Sequence, residues 1–365
     1  MSGLTNTANP DAGRTIVSVD AMGGDRGPAA VVAGISDSAK KNADIGFILH
    51  GDQEQLERLV SRRKNLAGRV EIRHAQDVVS MEDKPSQVMR QGKNSSMWSA
   101  VDSVRNGEAD VCVSCGNTGA LMMMSVVRLR KLPGVNRPAI AVLWPSTNPQ
   151  GFNIMLDAGA DIRADENDLL QYALMGASYA RNGMELSRPR VGLLNVGTEE
   201  HKGRPELKLA FDLISENATA ANFEFVGFVE GRDLPGKVAD VIVTDGFTGN
   251  VALKTGEGVA GLIRQFLGEA FKFSPLSRLA ALLALTSLRR LNQRIDPRQV
   301  NGGVFLGLNG TVVKSHGSSD ATGVSAAVKL AFKLSQSGFS QKLAARVASA
   351  VSLPQDAAKS SDTDN

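Results

Sequence analysis

Residues 15–50 read TIVSVDAMGGDRGPAAVVAGISDSAKKNADIGFILH, and the order of apolar runs and turns in them predicts the fold class. It opens with a short, mostly apolar and β-branched run, Thr15–Val19, which is typical of a strand. A glycine-rich turn follows, then a helical pattern over Pro28–Asn42 and a second apolar run, Ile45–His50. A strand, a helix and a strand in succession form a unit whose two strands pair in parallel. The stretch therefore predicts the first βαβ unit of an α/β protein.

The same alternation continues along the chain. Further strands are predicted at Val70–Arg73, Ala109–Ser114, Ala139–Leu143, Phe152–Leu156, Arg190–Asn195, Phe223–Val226, Val238–Thr244 and Gly303–Val313. Helices are predicted between them, among them Gln53–Arg63, Ser96–Gly107, Asp165–Asn182 and Ala321–Ser335. Most of the strands are continuously apolar, as in a parallel sheet that is covered on both faces. The sequence thus predicts a doubly wound α/β sheet in one domain, residues 14–352, between disordered tails at 1–13 and 353–365.

The composition excludes several classes of protein. Aromatic residues make up 5% of the chain, which argues against a surface that stacks nucleic-acid bases, and a net charge of +3 is too small to indicate a polyanionic partner. The two cysteines, Cys112 and Cys115, fit a reducing cytoplasm rather than a disulfide framework. The N-terminus lacks the apolar core of a signal peptide, and no apolar run has the length of a membrane span. We therefore expect a cytoplasmic protein.

Glycine-rich turns follow most of the predicted strands. They include residues 20–25, 114–119, 157–160, 195–203, 230–233, 245–250 and 314–318. Ligands of an open parallel sheet bind beyond the carboxyl ends of its strands. Glycine lets backbone N–H groups approach a ligand closely, and a helix that begins behind such a turn attracts anions. Any βα turn needs glycine and asparagine for its own geometry, so a single turn is weak evidence, whereas the set predicts an anion site.

The sequence lacks the common cofactor motifs. The turn after the first strand does not have the spaced glycines of a dinucleotide site, and the chain contains neither a P-loop nor a Gly-x-Ser-x-Gly elbow. Cys112 and Cys115 form a C-x-x-C pair, which we interpret as structural because no second pair completes a zinc site. The four histidines do not have metal-ligand spacing. We therefore expect no cofactor and no metal.

A basic cluster precedes one of the predicted helices. Arg90 and Lys93 lie just before Ser95 and Ser96, which are good N-cap residues for a helix that begins near position 96. Cations beside the free N–H groups of a helix favour phosphate. A solvated basic surface is the alternative interpretation.

Residues 257–298 interrupt the alternation of strands and helices. Apolar side chains at helical spacing predict an amphipathic helix, namely Val259, Leu262, Ile263, Phe266, Leu267, Ala270 and Phe271. Pro275 ends that helix, and a second is predicted from Leu276 to Arg294. Seven basic against two acidic residues between 264 and 298 give this segment a net charge of +5. A short apolar segment flanked by arginines predicts a helix that lies in a membrane interface.

Seven segments, in this order along the chain, jointly resemble the phosphate acyltransferase family, PlsX. They are DAMGGD (20–25), SSM (95–97), GNTGA (116–120), LDAGA (156–160), EGRD (230–233), DGFTGN (245–250) and KSHG (314–317). The sequence departs from the family at Cys115, where a small residue such as alanine is usual. The resemblance implies transfer of a fatty acyl group from acyl carrier protein to inorganic phosphate, which gives acyl phosphate for phospholipid synthesis. It also implies a Rossmann-like α/β/α fold similar to phosphotransacetylases and isopropylmalate dehydrogenases, a homodimer and peripheral association with the membrane.

This chemistry suggests roles for individual residues. A thiolate leaves without strong acid assistance, so phosphate can attack the thioester directly and no covalent nucleophile is required. Candidates for the reaction itself are Lys202, Asp245, Asn250 and His316, with His316 as proton donor to the thiolate. Candidates for binding phosphate or substrate are Asp20, Gly23, Gly24, Asp25, Lys93, Ser95, Ser96, Gly116, Asn117, Thr118, Asp157, Asn195, Gly246 and Gly249. Candidates for contacting the membrane or acyl carrier protein are Arg278, Leu282, Leu283, Arg289 and Arg290.

Three other functions are compatible with parts of the sequence. A phosphotransacetylase that uses CoA would need the same anion site. A decarboxylating dehydrogenase on a similar scaffold would need an acidic metal cluster and a nicotinamide loop, and the sequence contains neither in convincing form. A non-catalytic scaffold at the membrane would need only the basic helical segment.

Overall fold

The structure, a computed structural model, describes residues 13–199, 201–295 and 302–351. Its strands are β1 (Thr15–Asp20), β2 (Ile45–Gly51), β3 (Val70–His74), β4 (Val111–Ser114), β5 (Ala139–Pro145), β6 (Phe152–Leu156), β7 (Arg190–Leu194), β8 (Glu224–Val229), β9 (Val241–Val243), β10 (Gly303–Leu306) and β11 (Thr311–Lys314). Its helices are α1 (Gly27–Lys41), α2 (Gln53–Ser61), α3 (Pro85–Gln91), α4 (Ser96–Arg105), α5 (Thr118–Leu129), α6 (Glu166–Met184), α7 (Pro205–Asn217), α8 (Gly246–Lys272), α9 (Pro275–Leu283), α10 (Leu285–Ile295), α11 (Ala321–Gln336) and α12 (Phe339–Val351). The predicted tails lie outside the described residues, except for Gly13.

Contacts within the chain divide it into two compact units. The first unit comprises the residues up to Leu129 together with Gly310–Gln336, and the second comprises Arg130–Asn309 together with the residues from Ser337 onward. Both units are therefore assembled from two separate stretches of chain. The expectation of a single domain over residues 14–352 stays a prediction.

The first unit is built on a parallel sheet with strand order β3-β2-β1-β4-β11. Helix α11 packs on β1, β4, β11 and α1, whereas α4 packs on β1, β2, β4 and α5. Gly34 permits the close approach of α1 to α11, because a Cβ there would meet Val324 Cβ at 2.5 Å. β1, β2, β4 and β11 are almost entirely buried, as their continuous apolar runs predict.

The second unit contains the strand order β10-β5-β6-β9-β7-β8. β6, β9, β7 and β8 are parallel, but β5 runs antiparallel to both β6 and β10. The parallel pairing expected from the apolar runs is therefore wrong at β5. The connection from Pro145 to Phe152 is a short hairpin, in which Ser146 N–H donates to Gly151 O at 3.0 Å. A hairpin of this length joins antiparallel strands and has no room for a crossover.

The predicted strand Gly303–Val313 is also wrong, since the structure has two strands there. β10 ends at Leu306 and β11 begins at Thr311. Gly307 and Gly310 between them have φ values of +87° and +156°, in the region where side chains are disfavoured. The sequence Gly-Leu-Asn-Gly is thus a turn, and the apolar residues on either side of it concealed the interruption.

The helical segment of the second unit begins earlier than predicted. Helix α8 starts at Gly246 because Asp245 caps it, so residues 246–250 are helical rather than a loop. The helix predicted from Leu276 to Arg294 is divided at Ala284 into α9 and α10. Asp296 and Arg298, which were counted in the basic segment, lie outside the described residues.

Candidate functional site

The parallel strands of the first unit end in a row of polar residues. Asp20 is the register partner of His50 on β2 and of Ser114 on β4, and Ser114 is the partner of Lys314 on β11. All four residues are buried. Because the strands are parallel and in register, these four residues lie side by side at the carboxyl edge, where such sheets bind ligands.

Asp20 is held by two serine hydroxyls. Ser96 Oγ donates to its Oδ1 at 2.6 Å, and Ser114 Oγ donates to its Oδ2 at 2.7 Å. Burial raises the pKa of Asp20 above its ordinary value, although these hydrogen bonds act in the opposite direction. Gly23 is required beside this carboxylate, since a Cβ there would lie 2.5 Å from Asp20 Oδ2 and 2.8 Å from Gly116 N. The fold therefore brings Asp20, Ser96, Gly23 and Gly116 together, and their binding of phosphate or substrate stays a prediction.

The turn after β11 lies against the turn after β1. Asp25 N–H donates to Gly317 O at 2.8 Å, and the Arg26 side chain donates to Ser318 O at 3.0 Å. The turn after β4 joins them, because a Cβ on Gly24 would lie 2.9 Å from Cys115 Cβ. Helices α1, α5 and α11 begin directly behind these three turns. Asn117 caps α5 at Ala120 N–H, and Asp320 caps α11 at Thr322 and Gly323 N–H. The N–H groups that these caps leave and the three helix dipoles give this edge of the unit the means to bind an anion.

His316 is exposed at this edge of the unit. Its Nδ1 accepts a hydrogen bond from Ser318 N–H at 3.2 Å and lies 2.8 Å from Ser318 Oγ. Accepting from a backbone N–H requires an unprotonated Nδ1, so the neutral ring carries its proton on Nε2. The local turn therefore fixes the tautomer whose Nε2–H can donate a hydrogen bond.

Several predicted binding residues of the first unit have structural partners. Ser95 caps α4, accepting from Trp98 N–H at 3.2 Å and donating to Gly92 O at 2.6 Å. Asn117 donates to Met81 O at 2.9 Å and to Asp83 O at 3.1 Å, and its Oδ1 caps α5. Thr118 is the first residue of α5, and Lys93 is exposed in a 3-10 turn before α4. Ser95 and Asn117 thus shape the site, and direct contact of these four residues with substrate stays a prediction.

In the second unit, Asp157 organises the turn after β6. Its buried carboxylate accepts from the N–H groups of Ile140 at 2.8 Å, Ala160 at 2.9 Å and Asp161 at 2.7 Å. Burial raises the pKa of Asp157 to about 6. A Cβ on Gly246 would lie 2.6 Å from Asp157 Oδ2, and one on Gly249 would overlap Asp157 O. The first turn of α8 is therefore in direct contact with this turn, which explains both glycines.

Asp245 has two partners at the start of α8. Its Oδ1 accepts from Thr248 N–H at 2.8 Å, and its Oδ2 forms an ion pair with Arg204. These contacts occupy the carboxylate as an N-cap and an ion-pair partner. Asn250 lies on the same helix and is exposed, and a Cβ on Gly159 would lie 3.5 Å from its Cγ. Asn250 is thus accessible at the 157–161 turn, whereas Asp245 is enclosed.

Asn195 and Lys202 occupy one loop after β7. Asn195 is buried, accepts from Val196 N–H at 2.8 Å and donates to Lys202 O at 3.2 Å. The Lys202 ammonium lies 2.7 Å from Glu199 Oε1 and is partly exposed. Arg204, two residues further on, joins this loop to Asp245. Asn195 therefore braces the loop, and the loop presents Lys202 near the surface.

The residues predicted to contact the membrane lie on α9 and α10. Leu282 and Leu283 are 65% and 82% exposed, and Arg278 and Arg290 are exposed as well. The side chain of Arg289 lies outside the described part of the structure. No helix among the described residues combines the length and the apolarity needed to cross a bilayer.

Sequence reasoning missed three site residues. Ser114 is predicted only as the end of a strand although its hydroxyl binds Asp20, Arg204 has no predicted role although it pairs with Asp245, and Lys314 is predicted only as part of the KSHG segment. The signal for Ser114 and Lys314 was their position as the last polar residue of an apolar strand. The only sequence signal for Arg204 was its position between Gly203 and Pro205, the first residue of a helix.

The described residues contain no cluster of His, Cys, Asp and Glu that would hold a metal.

Solved structures of similar fold include three enzymes. The EutD phosphotransacetylase from Staphylococcus aureus has a TM-score of 0.57 at 14% identity and covers 88% of this chain and 94% of its own. A phosphotransacetylase from Streptococcus pyogenes has a TM-score of 0.58 at 16% identity and covers 88% of this chain and 94% of its own. A branched-chain phosphotransacylase from Enterococcus faecalis V583 has a TM-score of 0.56 at 16% identity and covers 88% of this chain and 99% of its own. At these identities the likeness confirms the predicted α/β fold and nothing beyond it.

Curated relatives share far more of the sequence. A phosphate acyltransferase of Ruegeria sp. (strain TM1040) is 74% identical, covering 100% of this chain and 97% of its own. The phosphate acyltransferase of Ruegeria pomeroyi is 72% identical, covering 96% of this chain and 96% of its own. That of Paracoccus denitrificans is 71% identical, covering 93% of this chain and 92% of its own. Residues 15–342 match the family described as fatty acid synthesis protein. The chain therefore belongs to this family and, within it, to the phosphate acyltransferases.

Proposed function

We propose that this enzyme transfers a fatty acyl group from acyl carrier protein to inorganic phosphate, and that the acyl phosphate supplies phospholipid synthesis. The observation that carries the proposal is the group of three glycine turns around Asp20 and Ser114 in the first unit. Backbone N–H groups at the starts of α1, α5 and α11 are donors suited to a phosphate dianion. Membership in the phosphate acyltransferase family supports phosphate as the acceptor.

The reaction balances without an enzyme nucleophile. An oxygen of HPO₄²⁻ attacks the thioester carbonyl carbon, a C–O bond forms, and the C–S bond breaks with its electron pair on sulfur. The departing thiolate takes the proton of the phosphate hydroxyl, and His316 is proposed to donate a hydrogen bond from Nε2–H to the sulfur as negative charge develops there. The products are acyl phosphate and a free thiol. Backbone amides of the glycine turns stabilise the oxyanion that forms during attack.

Two residues of the second unit are proposed to have roles of their own. Lys202, whose ammonium is partly exposed beside Glu199, is proposed to bind phosphate. Asn250, whose exposed amide is carried on the rigid start of α8, is proposed to align the thioester. Asp245 fixes the helix that carries Asn250 and is now proposed to act only through that helix.

Acyl carrier protein is proposed as the acyl donor because α9 and α10 are basic. Arg278 and Arg290 are exposed beside the apolar tip formed by Leu282 and Leu283. Acyl carrier protein is acidic, and opposite charges raise the rate at which two proteins associate. The same segment is proposed to bind the membrane at the cytoplasmic side, and the apolar face of α8 is proposed to form a homodimer.

The deciding experiment compares two donors of the same acyl group. The purified enzyme is given acyl-ACP or acyl-CoA with inorganic phosphate, and acyl phosphate is trapped with hydroxylamine. We expect product from acyl-ACP, with a kcat/KM at least about tenfold above that for acyl-CoA. Preference for acyl-CoA would establish a phosphotransacetylase. If neither donor gave acyl phosphate, the non-catalytic scaffold would be the remaining function. Replacing Arg289 and Arg290 with glutamate should raise KM for acyl-ACP and leave KM for phosphate unchanged.

A further inference from the structure

Lys314, a buried cation of the first unit, has no role in the proposed mechanism. Lys314 ends β11, is 8% exposed, and is the register partner of Ser114, whose hydroxyl binds Asp20. A lysine ammonium in the interior is unfavourable unless dipoles or opposite charges surround it. A strand residue at this position in an ordinary core would be apolar, so the charge calls for a functional explanation.

The ammonium lies where the three glycine turns meet. Lys314 Nζ donates to Cys115 O at 3.3 Å and to Ser315 O, which belong to the turns after β4 and β11. The third turn approaches the same carbonyl, because a Cβ on Gly24 would lie 3.3 Å from Cys115 O and 2.8 Å from Gly317 O. The glycine at 24 therefore brings the turn after β1 against the two loops that surround the ammonium.

Cations and helix dipoles at this point favour an anion, while the carboxylates of Asp20, Asp25 and Asp320 at the same turns oppose it. Helices α1, α5 and α11 begin behind the same three turns, so their positive ends share this edge with Lys314. Arg26 and Lys93 are exposed at this side of the unit, where solvent and salt screen them. A buried ammonium is screened much less, so Lys314 contributes more to the local field than either surface cation.

We propose that Lys314 is a phosphate-binding residue and that its buried charge makes phosphate the acceptor of the acyl group. This inference rests on the proposed function. Lys314 attracts the dianion HPO₄²⁻ into the glycine turns and leaves water, the competing acceptor, without an equivalent gain. The carbonyls of Cys115 and Ser315 hold the ammonium at these turns.

The alternative is a purely structural role, in which Lys314 only ties the turns together through its hydrogen bonds. Three variants separate charge from hydrogen bonding. Lys314→Gln keeps N–H donors for the two carbonyls but removes the charge, Lys314→Met removes both, and Lys314→Arg keeps both. Lys40, an exposed lysine of α1 paired with Asp37, provides the matched control Lys40→Gln.

The measurement is the steady-state KM for inorganic phosphate and for acyl-ACP with each folded variant. We expect Lys314→Gln and Lys314→Met to raise KM for phosphate at least about tenfold, with KM for acyl-ACP within about twofold. Lys314→Arg should stay within about threefold and Lys40→Gln should be unchanged. A phosphate KM near the wild-type value in Lys314→Gln would overturn the proposal and establish the structural role.

A second measurement covers the case in which the neutral variants do not fold. In wild-type protein labelled with ¹⁵N-lysine, the Nζ signal of Lys314 is assigned by its loss in Lys314→Arg. Adding inorganic phosphate should shift that signal, and an unshifted signal at saturating phosphate would overturn the proposal. Failure of the proposed function is a different result, namely that wild-type enzyme forms no acyl phosphate from acyl-ACP.

Discussion

Asp20 ends a strand, Asp157 and Asp245 come just after one, and each precedes a glycine turn, yet their surroundings differ. Serine hydroxyls hold Asp20, backbone N–H groups hold Asp157, and a helix start with an arginine holds Asp245. The sequence predicted where these aspartates lie, because the pattern of an apolar run followed by Asp and Gly is local. It did not predict their roles, because each role depends on partners brought in by distant segments of the chain.

Asp245 and Asn250 are expected to differ in what they contribute. Asp245→Ala removes the N-cap of α8 and should lower the free energy of unfolding by about 1–2 kcal/mol, while Asp245→Asn keeps a capping acceptor and most of the stability. Asn250→Ala should leave stability within about 0.5 kcal/mol, since the side chain is exposed on a helix, and should lower kcat about 100-fold. Chemical denaturation and the acyl phosphate assay measure the two effects. Unchanged turnover in folded Asn250→Ala would remove its proposed role.

Asp157 should give the protein a specific dependence of stability on pH. Its folded pKa is raised from 3.8 to about 6 by burial, so the folded state retains a proton that the unfolded chain releases. The resulting stabilisation is fully present below about pH 4 and is lost as pH rises through about 6, a change of about 3 kcal/mol. Asp157→Asn removes this titration. Unfolding free energies measured from pH 4 to 7 should therefore fall more steeply for wild type than for the variant, and parallel curves would contradict the assignment.

At the scale of elements, the strands of the first unit were predictable and several features of the second were not. Continuous apolar runs between glycine turns fix strand positions, but they do not tell parallel from antiparallel pairing, which at β5 is set by the short hairpin after Pro145. The turn Gly307–Gly310 was concealed by apolar residues on both sides. The early start of α8 was missed because Asp245-Gly246 reads equally well as a loop and as a helix cap.

The α9 helix is expected to bind membranes through its exposed tip. Replacing both Leu282 and Leu283 with glutamate removes apolar surface and adds negative charge, and should lower binding to anionic vesicles at least about tenfold. Co-sedimentation with phosphatidylglycerol vesicles measures this. Leu209 and Val238, which are also exposed in the second unit, serve as the control pair when changed to glutamate. Equal vesicle binding by wild type and the Leu282/Leu283 variant would exclude α9 as the membrane contact.

At the scale of the whole molecule, the division into two units was not visible in the sequence. The boundaries fall after Leu129, before Gly310 and after Gln336, that is after α5, between β10 and β11, and between α11 and α12. A boundary of this kind depends on which surfaces pack together.

The order of seven signature segments identified the family, because a set of segments spread over the chain is specific whereas a single turn is not.

A homodimer is expected to form through α8. The start of this helix packs on its own unit, where a Cβ on Gly256 would meet Trp144 at 2.5 Å, but further along Val259, Leu262, Ile263 and Phe266 are 46–57% exposed on one face. Covering each of these half-exposed side chains gains about 1 kcal/mol, and twofold symmetry doubles the number of side chains covered. A contiguous exposed apolar surface of this kind is typical of a protein–protein interface.

Sedimentation velocity at micromolar concentration should therefore show a dimer for wild type and a monomer for the double variant Ile263→Asp/Phe266→Asp. Leu209→Asp, a change of the same kind at a singly exposed leucine on α7, should leave the dimer intact, because that side chain is not part of the stripe. Vesicle binding tells the two proposed uses of this segment apart: a monomeric variant that still binds vesicles through α9 keeps the membrane contact separate from the dimer contact. A wild-type protein that sediments as a monomer would mean that the stripe of α8 is covered by something other than a second copy of the chain.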